Sequence, residues 1–232
     1  RAPMFAPYQL RDMKLVNRVV VSPMAQYKAV DGCPTDWHFT HYAERAKGGA
    51  GLVYIEMTCV SPEGRITPGC PGFYKPEHET AWKRLVDFVH RETPAKICAQ
   101  IGHAGAKASV QVPWEDDGMP LREDNWQILG ASPVAWSDKH QTPKAMTRAD
   151  MDLVRDQFVA SAEMADRCGF DMEGEVIAMA LKNKSMYAIL GILSLSPGTG
   201  YDIKKYCDTV LTGFWNENFG HIYPTLKKLL ED

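Results

Sequence analysis

The chain has 232 residues, is 45% hydrophobic and 24% charged, and carries a formal charge of -3. Such a composition is that of globular material in one or two domains, with enough apolar residues to bury a core, and it excludes a disordered tail. The near-neutral balance offers no electrostatic argument for a polyanionic partner, and no run approaches the ~18–20 apolar residues of a membrane-spanning helix.

Six cysteines (Cys33, Cys59, Cys70, Cys98, Cys168, Cys207) are scattered without a CxxC pair. Reduced thiols fit that spacing better than a disulfide framework or a zinc knuckle, and no metal site is expected. The opening Arg1-Ala2-Pro3-Met4 is not a signal-peptide pattern, so a cytoplasmic location is the expectation.

In chain order, residues 19–24 form a short apolar run broken by Pro23, and a helix is expected over 37–47, stopping at Gly48-Gly49. Residues 50–57 read as a second strand, 77–91 as a second helix and 95–101 as a third strand. A long excursion rich in Trp, Pro and Asp follows. Thr147 and Asp150 then make a capping-box-like start to a helix carrying Met151, Val154, Phe158, Ala162 and Ala165 at helical spacing, which Gly169 ends. Phe170-Asp171-Met172 opens a fourth strand. Apolar strands separated by helices imply a parallel sheet, and four such units suggest a doubly wound sheet or part of a (β/α)8 barrel. After Met172 the rhythm changes to three short helices within residues 182–232, in a helix-turn-helix layout. The expected organisation is therefore an α/β partial TIM barrel over 1–172, a junction over 173–181 and a small all-α segment over 182–232.

Four ordered blocks carry a resemblance: NRVVVSPMAQY (17–27), WHFTHYAERA from Trp37, GLVYIEMTCVSPEGRI (51–66) and QIGHAGAK (100–107). They resemble the old yellow enzyme family of FMN-dependent oxidoreductases, and most nearly the reductase-like barrel of two-part flavoenzymes acting on aromatic acyl-CoA compounds. The resemblance implies a TIM barrel whose ligands sit at the carboxyl ends of the strands. It implies that Ser22, Pro23, Met24 and Ala25 contact FMN through backbone or packing, that Met57 adds a backbone contact, and that Gln100 bonds the flavin's pyrimidine edge, which needs a donor and an acceptor together. Tyr27 would line the substrate side. Hydride would pass from NAD(P)H through FMN to a small-molecule acceptor, an activated alkene or an aromatic acyl-CoA type substrate. No catalytic acid is assigned.

The chain departs from the family pattern at Ala25, where some relatives have Cys or Thr, and at Ala106, where the H-x-G-R motif has Arg and this sequence has Lys only at 107. With four of eight barrel strands in sight and the family's substrate-binding pair and phosphate-binding amides unplaced, weak FMN binding, absent turnover and self-association through exposed half-barrel edges are expected. His38 and His41, three apart, are expected to be structural or solvated, and Glu56 structural. His103 is open between loop packing and ligand contact. The sequon at Asn183 is expected to be silent.

The last segment, KSMYAILGILSLSPGTGYDIKK (184–205) and FWNENFGHIYPTLKKL (214–229), resembles the PadR family of transcriptional regulators. This implies a truncated winged helix, with His221, Tyr223, Thr225 and Lys228 as DNA contacts. A DNA-binding regulator fragment, or a non-functional fusion of the two pieces, is thus the alternative to a flavin oxidoreductase.

Overall fold

The computed structural model describes residues 2–116 and 118–177. The calls over 178–232, including the expected helix-turn-helix, lie outside the described residues. The chain opens with an antiparallel hairpin, β1 (Tyr8–Leu10) and β2 (Met13–Leu15), and reaches the main sheet at β3 (Val20–Val21). Helix α1 (Asp36–Lys47) leads to β4 (Leu52–Cys59), and α2 (Pro76–Glu92) to β5 (Lys96–His103). The excursion holds the short helix α3 (Pro113–Asp116) and two minimal strands, β6 (Leu129–Gly130) and β7 (Lys144–Ala145), before α4 (Arg148–Cys168) and β8 (Met172–Ile177).

The main sheet is parallel, in the order β3-β4-β5-β8. Spatial order that follows chain order distinguishes a barrel arc from a doubly wound sheet, in which the order reverses at a switch point. The two faces agree. Val53 and Ile55 of β4 and Ile97, Ala99 and Ile101 of β5 join Tyr42 of α1, Trp82, Leu85, Val86 and Val89 of α2, and Ala165 and Cys168 of α4 in one buried core. On the opposite face Leu52 and Cys98 pack with Leu15 of the hairpin, next to Tyr54 and Met172. Helices therefore cover one side of the sheet, while the hairpin fills the amino-terminal end of the other.

Two expected boundaries shift for local reasons. Only Val20 and Val21 of the 19–24 run pair with β4, because Pro23 has no N–H to continue the ladder. The fourth strand starts at Met172 rather than Phe170 and keeps its ladder to Ile177, beyond the position where the sequence pattern changes. Asp171 sets that start: its backbone N–H donates to the Ile97 carbonyl, and its carboxylate accepts from the Ile97 N–H, His90 Nε2 and Lys96 Nζ at 2.7–2.9 Å. Helix α4 begins as its sequence implies. Thr147 Oγ1 accepts from the Asp150 N–H while Asp150 accepts from the Thr147 N–H, and Gly169 closes the helix at φ 88°, where a Cβ would be strained.

Candidate functional site

The residues singled out by sequence reading fall at the carboxyl end of the sheet. Ser22–Ala25 leave the end of β3, and Met57 of β4 is the register partner of Gln100 of β5. Gln100 lies on the same face as Cys98, away from the helices, and pairs on its other side with Gly174. Its carboxamide is partly exposed and makes no hydrogen bond among the described residues. An amide that can donate and accept, free on a face lined by Tyr54 and Met57, suits a heteroaromatic edge with alternating donors and acceptors. Ser22, Met24 and Ala25, past the end of β3, are exposed. The residues present therefore fit the ring system of a flavin.

Met57 reaches this face through a register shift. Between Tyr54 and Met57 strand β4 advances three residues while β5 advances two, from Cys98 to Gln100. The extra residue is a β-bulge. It puts both Ile55 and Glu56 opposite Ala99, on the helix side, where each is fully buried. Met57 then packs against Ala104, Ala108 and Ile128 under the excursion.

Glu56 anchors the stretch that follows β3. Its Oε2 accepts from the Gln26 backbone N–H at 2.9 Å, and its Oε1 accepts from the Tyr42 hydroxyl at 3.2 Å, while the Glu56 N–H donates to that same hydroxyl at 2.8 Å. His38 Nδ1 accepts from the Thr35 N–H at 3.0 Å, which leaves the proton of a neutral ring on Nε2. That nitrogen stands 3.2 Å from Glu56 Oε1 but is not aligned as a hydrogen bond. His38 is thus a buried structural residue. His41 stacks edge-on against Tyr42, and burial holds its imidazole below the ordinary histidine range.

Tyr27 follows with φ 53°, in the left-handed region. It is held by Gly69, where an added Cβ would come within 2.4 Å of the Tyr27 carbonyl oxygen, and its ring meets Trp114 edge-on at 6.4 Å. His103, at the end of β5, is occupied locally. Its Nδ1 accepts from the Gly105 N–H at 3.0 Å, its ring packs on Gly64, and burial depresses its pKa, so it is neutral near pH 7. Its Nε2 is buried and has no partner among the described residues.

What sequence reading missed is the anchor: the His38–Tyr42 spacing, i to i+4 on α1, was the available signal that one helix face meets the Glu56 carboxylate. It also missed three cation–tryptophan contacts. Lys28 stacks on Trp114, Lys107 on Trp136 and Arg65 on Trp126, at 3.9–5.1 Å from the ring centroids. His221, Tyr223, Thr225, Lys228 and Asn183 lie outside the described residues. No helix among the described residues is long and apolar enough to cross a membrane.

A barrel arc with helices on one face, and an open amide-bearing face at the carboxyl ends of its strands, defines an α/β segment of TIM-barrel type. The chain belongs to the NADH:flavin oxidoreductase / NADH oxidase family, whose model matches residues 3–176. It is 36% identical over 178 residues to an NADH:flavin oxidoreductase of Gibberella zeae, covering 72% of this chain and 42% of that protein. It is also 36% identical over 171 residues to an NADPH dehydrogenase of a Geobacillus species, covering 73% of this chain and 46% of the relative. Among solved structures it resembles a mutant morphinone reductase in complex with tetrahydroNAD, with TM-score 0.64, 26% identity and coverage of 75% of this chain and 49% of that one. The old yellow enzyme of a Pichia species has TM-score 0.65 at 23% identity, a likeness of fold, over 75% of this chain and 45% of that one. The chain spans less than half the length of these curated relatives. The family match ends at residue 176, and none of these similarities supports a PadR segment.

Proposed function

We propose that residues 1–177 form the flavin-facing part of an FMN-dependent oxidoreductase that takes hydride from NAD(P)H and delivers it to an activated alkene or an aromatic acyl-CoA type substrate. Bound FMN would supply the hydride transfer; the protein's part is to hold and orient the ring. Gln100 would bond the pyrimidine edge, the 22–25 backbone and Met57 would meet the ring, and Tyr27 would face the acceptor. Glu56 acts one step back, fixing the backbone at Gln26 so that the 22–25 stretch keeps its place. The reading is carried by one observation: Gln100, unbonded among the described residues, is in register with Met57 at the carboxyl edge of the sheet. The winged-helix reading of 182–232 rests on sequence resemblance alone, and no structural observation favours it.

The test is to titrate FMN and riboflavin into the protein and follow the visible absorption band and flavin fluorescence. Both should be perturbed, and Gln100→Leu should weaken both by the same factor, roughly tenfold, as expected for losing one or two net hydrogen bonds. The proposal fails if neither flavin's spectrum moves, or if the variant binds both as the wild type does.

A further inference from the structure

Lys28 is a cation that no described carboxylate neutralises. Lys28 Nζ lies 4.3 Å from the Trp114 ring centroid and 5.5 Å from that of Trp37, and it has no ion pair among the described residues. The two indoles, Trp37 and Trp114, are 55% and 57% exposed, a large aromatic surface for two neighbouring side chains to leave in water. The group is tied to the flavin-side stretch. Trp37 Nε1 donates to Gln26 Oε1 at 3.0 Å, Gln26 Nε2 donates to the Met24 carbonyl at 2.9 Å, and Trp114 contacts Tyr27. Aromatic faces hold an ammonium in position without cancelling its charge, so its N–H donors stay available to an anion.

The geometry points to Lys28, clamped by Trp37 and Trp114, as a recognition site for an anionic oxygen group carried beside a flat ring. The inference rests on the oxidoreductase reading for making this the substrate side, and it names the chemistry selected there: a planar ring bearing a carboxylate or phosphate. Two ligands of that reaction could bring such a group, an acidic acceptor or the phosphorylated adenosine end of the nicotinamide donor. Tyr27 and Trp114 would flank the ring while Lys28 takes the charge.

Equilibrium dialysis of the flavin-free protein compares 4-nitrobenzoate with 4-nitrobenzamide, and adenosine 2′,5′-bisphosphate with adenosine. The anion of at least one pair should bind about five- to tenfold more tightly than its neutral counterpart, a preference that shrinks as salt is raised. Lys28→Met keeps the stem on the indoles and should abolish that preference, while Lys28→Arg should retain it. Loss confined to the first pair assigns the site to the acceptor, and loss confined to the second assigns it to the donor's phosphates; both support the inference. No anion preference in either pair, or a preference that survives Lys28→Met, overturns it. Because no flavin is present, the result is independent of the flavin titration, and either reading can fail alone.

Discussion

Replacing Tyr42 by Phe removes one oxygen that serves two partners. The hydroxyl accepts from the Glu56 N–H at 2.8 Å and donates to Glu56 Oε1 at 3.2 Å, in a setting where Tyr42 and Glu56 are 1% and 0% exposed. Losing it strands a buried peptide N–H, at about 1–3 kcal/mol, and takes one donor from a buried carboxylate, at about 1.5–3 kcal/mol. His38 and the Gln26 N–H remain beside the carboxylate, so the expected sum lies at the lower end, about 3 kcal/mol. Urea unfolding followed by tryptophan fluorescence should show the midpoint falling by roughly 1–2 M with an unchanged slope. Because the same carboxylate holds the Gln26 backbone, flavin affinity should fall with stability. A loss below about 1 kcal/mol would refute the reasoning, since it would mean that the N–H finds water or that the hydroxyl never bridged the two groups.

Two further outcomes follow from the fold. Burial raises the Asp171 pKa, but the ammonium of Lys96, the His90 ring and the Ile97 N–H outweigh it and hold the carboxyl below the ordinary 3.8. A carboxyl depressed on folding adds stability above its unfolded pKa and loses it as pH falls through the folded value. Wild-type stability should therefore drop below about pH 4, and Asp171→Asn should start lower and show a shallower acid loss in denaturant titrations across that range. At Gly69, a Cβ would meet backbone atoms of Tyr27 at 2.4 and 2.7 Å, which no side-chain rotation relieves. Gly69→Ala should cost about 1–3 kcal/mol and lower the melting temperature accordingly; an unchanged melting temperature would show that the 27–29 loop is not held there.

The strand-and-helix alternation was legible because apolar runs such as 52–59 and 96–103 are hydrophobic on both faces and the helices between them carry clear end signals, Thr147 and Gly169 above all. The choice between a barrel arc and a doubly wound sheet was not, since it depends on which strands become neighbours, and periodicity does not encode strand order. The N-terminal hairpin was missed because β1 and β2 are three residues each, too short to display alternation. Ser22–Ala25, Met57 and Gln100 were singled out through motif resemblance, and the pairing of Met57 with Gln100 follows from register. The Trp–cation pairs were unreadable because Trp114, Trp126 and Trp136 return to Lys28, Arg65 and Lys107 through an excursion with almost no regular structure.

The bulge in β4 decides what chemistry the face can hold. Strict alternation from Leu52 and Tyr54 would put Glu56 on the face of Gln100 and turn Met57 toward the helices, because a one-residue slip exchanges the faces of every residue beyond it. A carboxylate beside the Gln100 amide would compete for its donors and set a negative charge against an electron-accepting ring. The inserted residue sends Glu56 to the helix side instead, where the Tyr42 hydroxyl donates to one oxygen and the other fixes Gln26. One irregularity thus keeps the Glu56 carboxylate off the face of Gln100 and anchors the neighbouring strand end. Both consequences need two residues opposite Ala99: Ile55 fills the core there, and Glu56 beside it reaches Tyr42 and the Gln26 N–H.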